Sequence, residues 1–380
     1  MKGLSKGGYS TLGEVVSLRL GNVLLTGARR ERAEDVVRHL TAVQSQDYGP
    51  ALWSLGQRSV PDGDGVVPQA AVHAAFQAGR ILRTHVLRPT WHFVLPEDLP
   101  WLLALTGPRV HQLNAYYYRQ ANLDAAAFAR AETVLARELA GGAHLTRAQL
   151  VGPLGAAGLP TSGPGLAYVL IHAELGGLIC SGPMVGRQHT HALLTDRVPA
   201  GRVLSRGEAL AELTLRYFTS HGPATAKDLR WWSSLTLAEI ADGIAAAGDR
   251  LERTVVDGLT LYSASATRTP APEKARAGPV VNLVQGYDEY IVGYTESKRL
   301  LDPTGVARAT ARETNRFNNL ILLDGEVAGR WKRTVRRDDV LIRLDLLRDL
   351  DATAAQALDA AVADHATFLG LPLAEVPPPA

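Results

Sequence analysis

Cysteine is nearly absent from the sequence, because Cys180 is the only one in 380 residues. A single cysteine cannot build an intrachain disulfide framework or a cysteine-based zinc ribbon. Such a residue usually behaves as a small buried apolar side chain. The scarcity of cysteine therefore predicts a protein of the reducing cytoplasm.

Long apolar runs are also missing. No stretch approaches the roughly 18 residues that a membrane-spanning helix needs. The N-terminal segment MKGLSKGGYSTLGEVVSLRL lacks the continuous apolar core of a signal peptide. We therefore expect a cytoplasmic protein without membrane contact.

Neither sign of charge is in excess, since 40 Lys and Arg face 38 Asp and Glu, a net charge of +2. A nucleic-acid surface would have to come from local clustering of basic residues. With 46% hydrophobic residues the chain can bury several cores and exceeds one ordinary domain. No P-loop or strand-linked dinucleotide motif is present, which argues against NTPases and Rossmann enzymes.

Three segments repeat one plan of a helix, a turn, a second helix and a strand pair. The clearest copy begins at Glu208 and ends in a hairpin signalled by Asp257-Gly258. The second copy starts at His144, with Ser162 as a predicted helix cap. The first is less regular and ends in the strand pair of RTHVLRPTWHFVLP. This plan is typical of winged helix-turn-helix modules.

Proline- and glycine-rich stretches at 61–68 and 265–279 predict connectors, and the second is the stronger boundary. After it, short β-rich runs, a hairpin at Asp324-Gly325 and a C-terminal helix predict a small barrel or curled sheet. We expect an α+β, mostly helical chain with three tandem winged helix-turn-helix modules and a C-terminal β-barrel-like domain. The predicted boundaries are 1–110, 111–205, 206–265 and 275–380.

Two glutamines, Gln44 and Gln46, stand one residue apart in the stretch AVQSQDYGP. The apolar pattern predicts a helix from about Glu34 to Val43, which Gly49-Pro50 would end. Helical residues two apart point about 200° away from each other, so both amides can serve one site only if the helix ends near Gln44. By spacing alone, such a pair more often hydrogen-bonds a turn.

Several motifs together resemble the AlkZ/YcaQ family of bacterial winged-helix DNA glycosylases, over nearly the whole chain. They are QSQ at 44–46, LRPTWHFVLPEDL at 87–99, SGPMVGRQHTHALL at 181–194, HGPATAKDLRWWS at 221–233, YDEYIVGY at 287–294 and GRWKR at 329–333. The resemblance implies a C-shaped scaffold with Gln44 and Gln46 as the catalytic pair in its concave face. It implies double-stranded DNA with alkyl lesions as substrate, no cofactor and no metal. It also implies a monomeric enzyme that associates with the nucleoid.

The chemistry fits a neutral amide pair. Alkylation at N7 or N3 makes a purine cationic and therefore already a good leaving group. The enzyme must then place a water beneath C1′ and stabilise an oxocarbenium-like transition state. A glutamine carbonyl can accept a hydrogen bond from that water, and a helix C-terminus at Gln44 would add partial negative charge. Asp47 is an alternative base, but adjacent residues point in different directions.

Basic residues suggest two DNA-contacting regions. Arg330, Lys332 and Arg333 lie on the second strand of the C-terminal hairpin, whose tip Asp324-Gly325 could enter a groove. A basic and aromatic wing contains Arg83, His85 and Arg88. A solvated strand face is the alternative for the first region, and core packing is the alternative for the aromatic residues of the second.

Other candidates receive structural interpretations. His189 and His191 could place two imidazoles on one strand face, but no third ligand is suitably spaced, so we expect no metal. Asp288 and Glu289 would face opposite ways on a strand and are expected to be structural. The sequence thus predicts a monofunctional glycosylase for alkylated purines. A non-catalytic winged-helix regulator and a protein that sequesters the free toxin are the alternatives.

Overall fold

The structure is a computed structural model that describes residues 9–60, 65–198, 202–265, 278–305 and 319–374. Residues 61–64 of the first predicted connector and 266–277 of the second lie outside this described part, so the boundaries placed there remain predictions. The fold is α+β, with helices interleaved with small antiparallel sheets. Within the described residues, no helix is both long enough and apolar enough to cross a membrane.

The first segment surrounds a three-stranded antiparallel sheet of order β1-β3-β2. Its elements are α1 (Leu12–Asn22), α2 (Ala33–Leu40), β1 (Ala42–Gln44), α3 (Tyr48–Gly56), α4 (Gln69–Gln77), β2 (Leu82–Val86) and β3 (Arg88–Val94). The apolar face of α2 is buried through Val36, Val37 and Leu40. This sheet positions the Gln-x-Gln stretch.

The helix predicted to reach Val43 is shorter than expected, because α2 ends at Leu40. Thr41 has a φ of 72°, which breaks the helix. Ala42 and Val43 then pair with β3 and are buried, so tertiary strand pairing overrides the helical apolar pattern. Pro50 lies in the first turn of α3 instead of ending a helix, a position that proline tolerates. Gln44 is therefore the end of a strand.

The second and third segments each place helices before strands. The second contains α5 (Leu99–Gln120), α6 (Ala125–Glu138), β4 (Leu145–Thr146), α7 (Arg147–Ala156), α8 (Gly163–Leu175), β5 (Ile179–Ser181), β6 (Thr190–Leu193) and α9 (Leu194–Arg197), with sheet order β4-β6-β5. The third contains α10 (Arg206–Ser220), α11 (Ala226–Ser233), α12 (Leu237–Ala247), β7 (Leu251–Val256) and β8 (Leu259–Ala264).

Local signals explain the third segment well. Ser205, Thr225 and Thr236 each form a capping box at the start of a helix. The hairpin of β7 and β8 turns at Asp257-Gly258, where both residues have positive φ, as the sequence predicts. The assignment of the three segments as winged-helix modules remains a prediction.

The C-terminal segment forms an open sheet instead of the expected barrel. It contains β9 (Val281–Val284), α13 (Glu289–Val292), β10 (Leu320–Leu323), β11 (Glu326–Val335), β12 (Val340–Leu346) and α14 (Ala352–Leu369), with strand order β12-β11-β10-β9. β9 and β12 are the two outer strands of this sheet, and Val340 of β12 also bridges to Leu373 beyond α14. Because α14 covers the apolar face through Leu358 and Ala366, the sheet buries that face without closing. Trp331 is buried in this core, as expected.

The largest apolar core crosses segment boundaries. It joins Val43 of the first segment, Trp232 of the third and Tyr290 of α13. A separate core fills the second segment. The end of β1 therefore lies where distant parts of the chain meet, which gives the Gln-x-Gln stretch rigid support.

Candidate active site

The Gln-x-Gln stretch leaves the sheet at the end of β1. Gln44 pairs with His92 in the strand register and is only 4% exposed. The Ser45 N–H still donates to the Trp91 carbonyl at 2.7 Å, which holds the backbone extended. Gln46 is exposed, and its Oε1 accepts a long hydrogen bond of 3.4 Å from the Trp91 N–H. One amide is thus buried and the other is open to solvent.

Arg88 fixes the buried amide. Its Nη2 donates to Gln44 Oε1 at 2.7 Å, and its Nη1 lies 3.5 Å from the Val292 carbonyl. A guanidinium can only donate, so this contact sets the Gln44 amide with its oxygen towards Arg88. Burial lowers the pKa of the neighbouring His92 to about 3, and the positive charge of Arg88 adds to this effect. His92 is therefore neutral at physiological pH.

The Gln44 backbone is held by Glu289, which the sequence analysis treated as structural. The Gln44 N–H donates to Glu289 Oε1 at 2.6 Å. The other carboxylate oxygen accepts from Trp232 Nε1 at 2.8 Å and lies 3.2 Å from His221 Nε2. Burial alone would raise the pKa of Glu289, but the hydrogen bond to His221 and nearby positive charge hold it below its usual range.

The neighbouring acid has a different environment. Asp288 forms a buried ion pair with Arg58 at 2.7 Å and caps α13 through its side chain. A strand was expected here, but Glu289 begins the short helix α13 and Asp288 caps it. The start of this helix, and not the alternation of a strand, therefore directs the Asp288 and Glu289 carboxylates to different partners. The motif YDEY was the available sequence signal for Glu289, but only the fold brings it to Gln44.

Arg83 and His85 support the opposite face of the stretch. Arg83 donates from Nε to the Ser45 carbonyl at 3.1 Å and from Nη2 to the Gln46 carbonyl at 3.2 Å. Its guanidinium lies 4.2 Å from the centre of the Trp91 ring, a cation–π contact. His85 pairs with Glu174 at 2.5 Å and packs on the same indole. The second segment therefore contributes to holding the turn.

The predicted wing contacts are all buried. Arg83, His85 and Arg88 are 6%, 5% and 8% exposed, and their polar groups are directed at the Gln-x-Gln stretch or its supports. Sequence reasoning identified these residues but assigned them to DNA. Their positions favour a supporting role, and direct DNA contact through them remains a prediction.

The C-terminal hairpin has a mixed environment. Lys332 is exposed, whereas Arg330 is partly buried near Asp345 at 3.9 Å. Arg333 lies 3.0 Å from His365 Nε2 and also borders Gly49 at the start of α3. The strand thus passes close to the Gln-x-Gln stretch.

The tip of this hairpin packs on the protein. The Gly325 carbonyl accepts from the Tyr290 hydroxyl at 3.0 Å, and a Cβ added to Gly325 would meet Val16 and Leu20 of α1 at 2.7 and 2.8 Å. Only Asp324 of the tip pair is exposed. Insertion of the tip into a DNA groove remains a prediction that this packing weighs against.

The two histidines of the second segment, His189 and His191, have different partners. His191 Nδ1 lies 3.5 Å from Glu174 Oε1, whereas the His189 ring packs against Tyr48. In the described ranges, no group of three His, Cys, Asp or Glu is arranged to hold a metal ion. The best-defined polar groups of the site are therefore the two glutamine amides, which accept hydrogen bonds from Arg88 and Trp91.

A family comparison identifies the class of protein that carries this arrangement. The model of the family "DNA glycosylase AlkZ-like" matches residues 37–368, which include the whole site described above. The chain belongs to this family. It is a DNA glycosylase, and a non-catalytic regulator, the main alternative from the sequence, is not what the family describes.

A solved structure supports the fold of the enzyme. The chain is similar to Streptomyces sahachiroi DNA glycosylase AlkZ, with a TM-score of 0.77 and 21% identity over 97% of this chain and 100% of that chain. No curated protein matches the enzyme significantly. The similarity to AlkZ shows a shared fold, and the substrate must be argued from the site.

Proposed function

We propose that the enzyme is a monofunctional glycosylase that hydrolyses the N-glycosidic bond of alkylated purines in double-stranded DNA. N7-guanine adducts, including bulky monoadducts and interstrand crosslinks, are the proposed substrates, and DNA repair or self-resistance is the proposed role. The observation that carries this proposal is the exposed amide of Gln46 beside the fixed amide of Gln44. We propose that the enzyme acts as a monomer.

The amide pair suits a cationic leaving group. An N7-alkylated purine departs without protonation, so the site does not need a strong general acid. Among the residues that the structure describes, the Gln46 oxygen accepts just the long hydrogen bond from the Trp91 N–H, so it can also accept a hydrogen bond from water. We assign the positioning of the attacking water chiefly to Gln46. We assign a second polar contact with this water to Gln44, whose orientation Arg88 fixes.

The test uses DNA carrying N7-methylguanine and, separately, a defined N7–N7 crosslink. Wild-type enzyme is expected to release the base and leave abasic sites that alkali cleaves. Strand cleavage without alkali would contradict the monofunctional assignment. Absence of base release from both substrates would overturn the proposed substrate class.

Gln46→Ala is expected to slow single-turnover excision by roughly a hundredfold or more, about 2.7 kcal/mol of transition-state stabilisation. DNA affinity and melting temperature should change little, because Gln46 is exposed. Gln46→Glu should retain part of the activity, since a carboxylate also stabilises an oxocarbenium ion. Wild-type rates in both folded variants would place the catalytic water elsewhere, with Asp47 and His92 the next residues to test.

A further inference from the structure

A buried carboxylate from the C-terminal segment lies behind the Gln-x-Gln stretch. We propose that Glu289 is a positioning residue for base excision, which fixes the Gln44 peptide and balances the positive charge of Arg88 beside Gln44. This inference rests on the proposed role of Gln44 and Gln46. It assigns a function to an acid outside the glutamine pair.

The hydrogen bonds of Glu289 come from two other segments of the fold. Glu289 Oε1 accepts from the Gln44 N–H in the first segment, and Oε2 accepts from Trp232 in the third and faces His221. Glu289 is 1% exposed and His221 and Trp232 are fully buried. The carboxylate therefore has little freedom to move, and it fixes the Gln44 backbone relative to the third segment.

The charge of Glu289 also acts on the Gln44 side chain through Arg88. Burial lowers the pKa of the Arg88 guanidinium, while the negative charge of Glu289 raises it. Glu289 thus helps to keep Arg88 charged inside the protein, and Arg88 in turn orients the Gln44 amide. One carboxylate stabilises both the backbone and the side chain of the same glutamine.

The negative charge of Glu289 compensates for the positive charge of Arg88, which alone would oppose the cationic transition state proposed for the reaction. The sugar becomes positively charged as the base leaves, and a buried anion interacts with it more strongly than an exposed anion would. Glu289 supplies this compensating charge from behind the Gln-x-Gln pair, without contacting the substrate.

The test is Glu289→Gln, which keeps an oxygen that can accept from the Gln44 N–H but removes the charge. We expect single-turnover excision of N7-methylguanine to fall roughly tenfold to a hundredfold, with DNA affinity within about twofold of wild type. Glu289→Asp, which keeps the charge, should retain more activity than Glu289→Gln. Rates are expressed per folded molecule, with folding checked by circular dichroism.

Two further variants separate charge from packing. Trp232→Phe removes one donor to Glu289 but keeps the carboxylate, so its rate should fall less than that of Glu289→Gln. Glu97→Gln removes an acid from an exposed ion pair with Arg38 and should excise at the wild-type rate. If Glu289→Gln fails to fold, Glu289→Asp carries the test. Its shorter side chain cannot hold the Gln44 N–H and Trp232 Nε1 together, so its rate per folded molecule should fall below that of wild type, and a wild-type rate would overturn the inference.

The outcomes distinguish this inference from the proposed function. A folded Glu289→Gln enzyme with the wild-type rate would overturn the positioning role, even if Gln46→Ala were inactive. A loss of activity that merely follows the loss of folded protein would also overturn it. Failure of wild-type enzyme to release any alkylated base would instead overturn the proposed function.

Discussion

At the scale of single residues, the site depends on charged groups that are directed inward. Arg83 and Arg88 belong to a stretch with the basic and aromatic residues of a DNA-binding wing. Both, however, donate hydrogen bonds to the Gln-x-Gln stretch. The family resemblance singled out the glutamine pair, because two glutamines at this spacing more often hydrogen-bond a turn. It could not show that the arginines are buried, because their burial depends on segments that are far away in the chain.

Arg88→Lys tests whether Arg88 supports the Gln-x-Gln stretch or contacts DNA. Lysine keeps the charge but cannot reach Gln44 and the Val292 carbonyl with one planar group. We expect excision to slow by roughly tenfold or more, equivalent to about 1.4 kcal/mol. The slope of log affinity against log salt should stay unchanged, because Arg88 is buried. Arg88→Gln should also leave that slope unchanged, and a decrease near one unit would identify Arg88 as a phosphate contact.

At the scale of elements, local signals predicted more than periodicity did. The turn at Asp257-Gly258 follows from residues adjacent in sequence, as predicted. The end of α2 did not, because Ala42 and Val43 satisfy a helical pattern as well as a strand that pairs with β3. The barrel expectation was wrong for a similar reason, since only the packing of α14 shows that an open sheet is sufficiently covered.

The basic residues of β11 lead to a prediction about how DNA affinity depends on salt. Lys332 is exposed, whereas Arg330 and Arg333 are partly buried, so replacing all three should affect DNA binding and packing together. Lys332→Gln should flatten the slope of log affinity against log salt by about 0.9 with no change in melting temperature. Arg32→Gln, which removes an exposed arginine paired with Asp35, is the matched control. An unchanged slope for Lys332→Gln would remove this residue from the DNA interface.

At the scale of the whole molecule, buried polar residues connect the segments. Arg58, which follows α3, forms a buried ion pair with Asp288, which precedes α13. The buried His365 of α14 packs between Trp53 of α3 and Trp331 of β11. Such contacts give the end of β1 a fixed environment. They also make stability depend on the protonation of groups that the fold keeps uncharged.

His92 and His365 should make the enzyme sensitive to mild acid. Burial lowers the pKa of each to about 3, with Arg88 adding to the effect at His92 and Arg333 at His365. In the unfolded chain a histidine binds a proton below about pH 6.5, whereas these two remain neutral when folded. The unfolded state therefore takes up more protons, so stability is fully present above pH 6.5 and is lost as pH falls towards 3.

Urea unfolding at pH 7, 6 and 5 measures this effect above the range where the buried carboxylates titrate. Near pH 5 the two histidines should contribute a combined slope of up to about 2.7 kcal/mol per pH unit to the free energy of unfolding. His365→Gln keeps an acceptor for Arg333 but cannot titrate, so it should reduce that slope by up to about 1.4 kcal/mol per pH unit. An identical pH dependence in the variant would show that His365 binds its proton equally well in both states, and that its burial between the first and C-terminal segments does not exclude the charge.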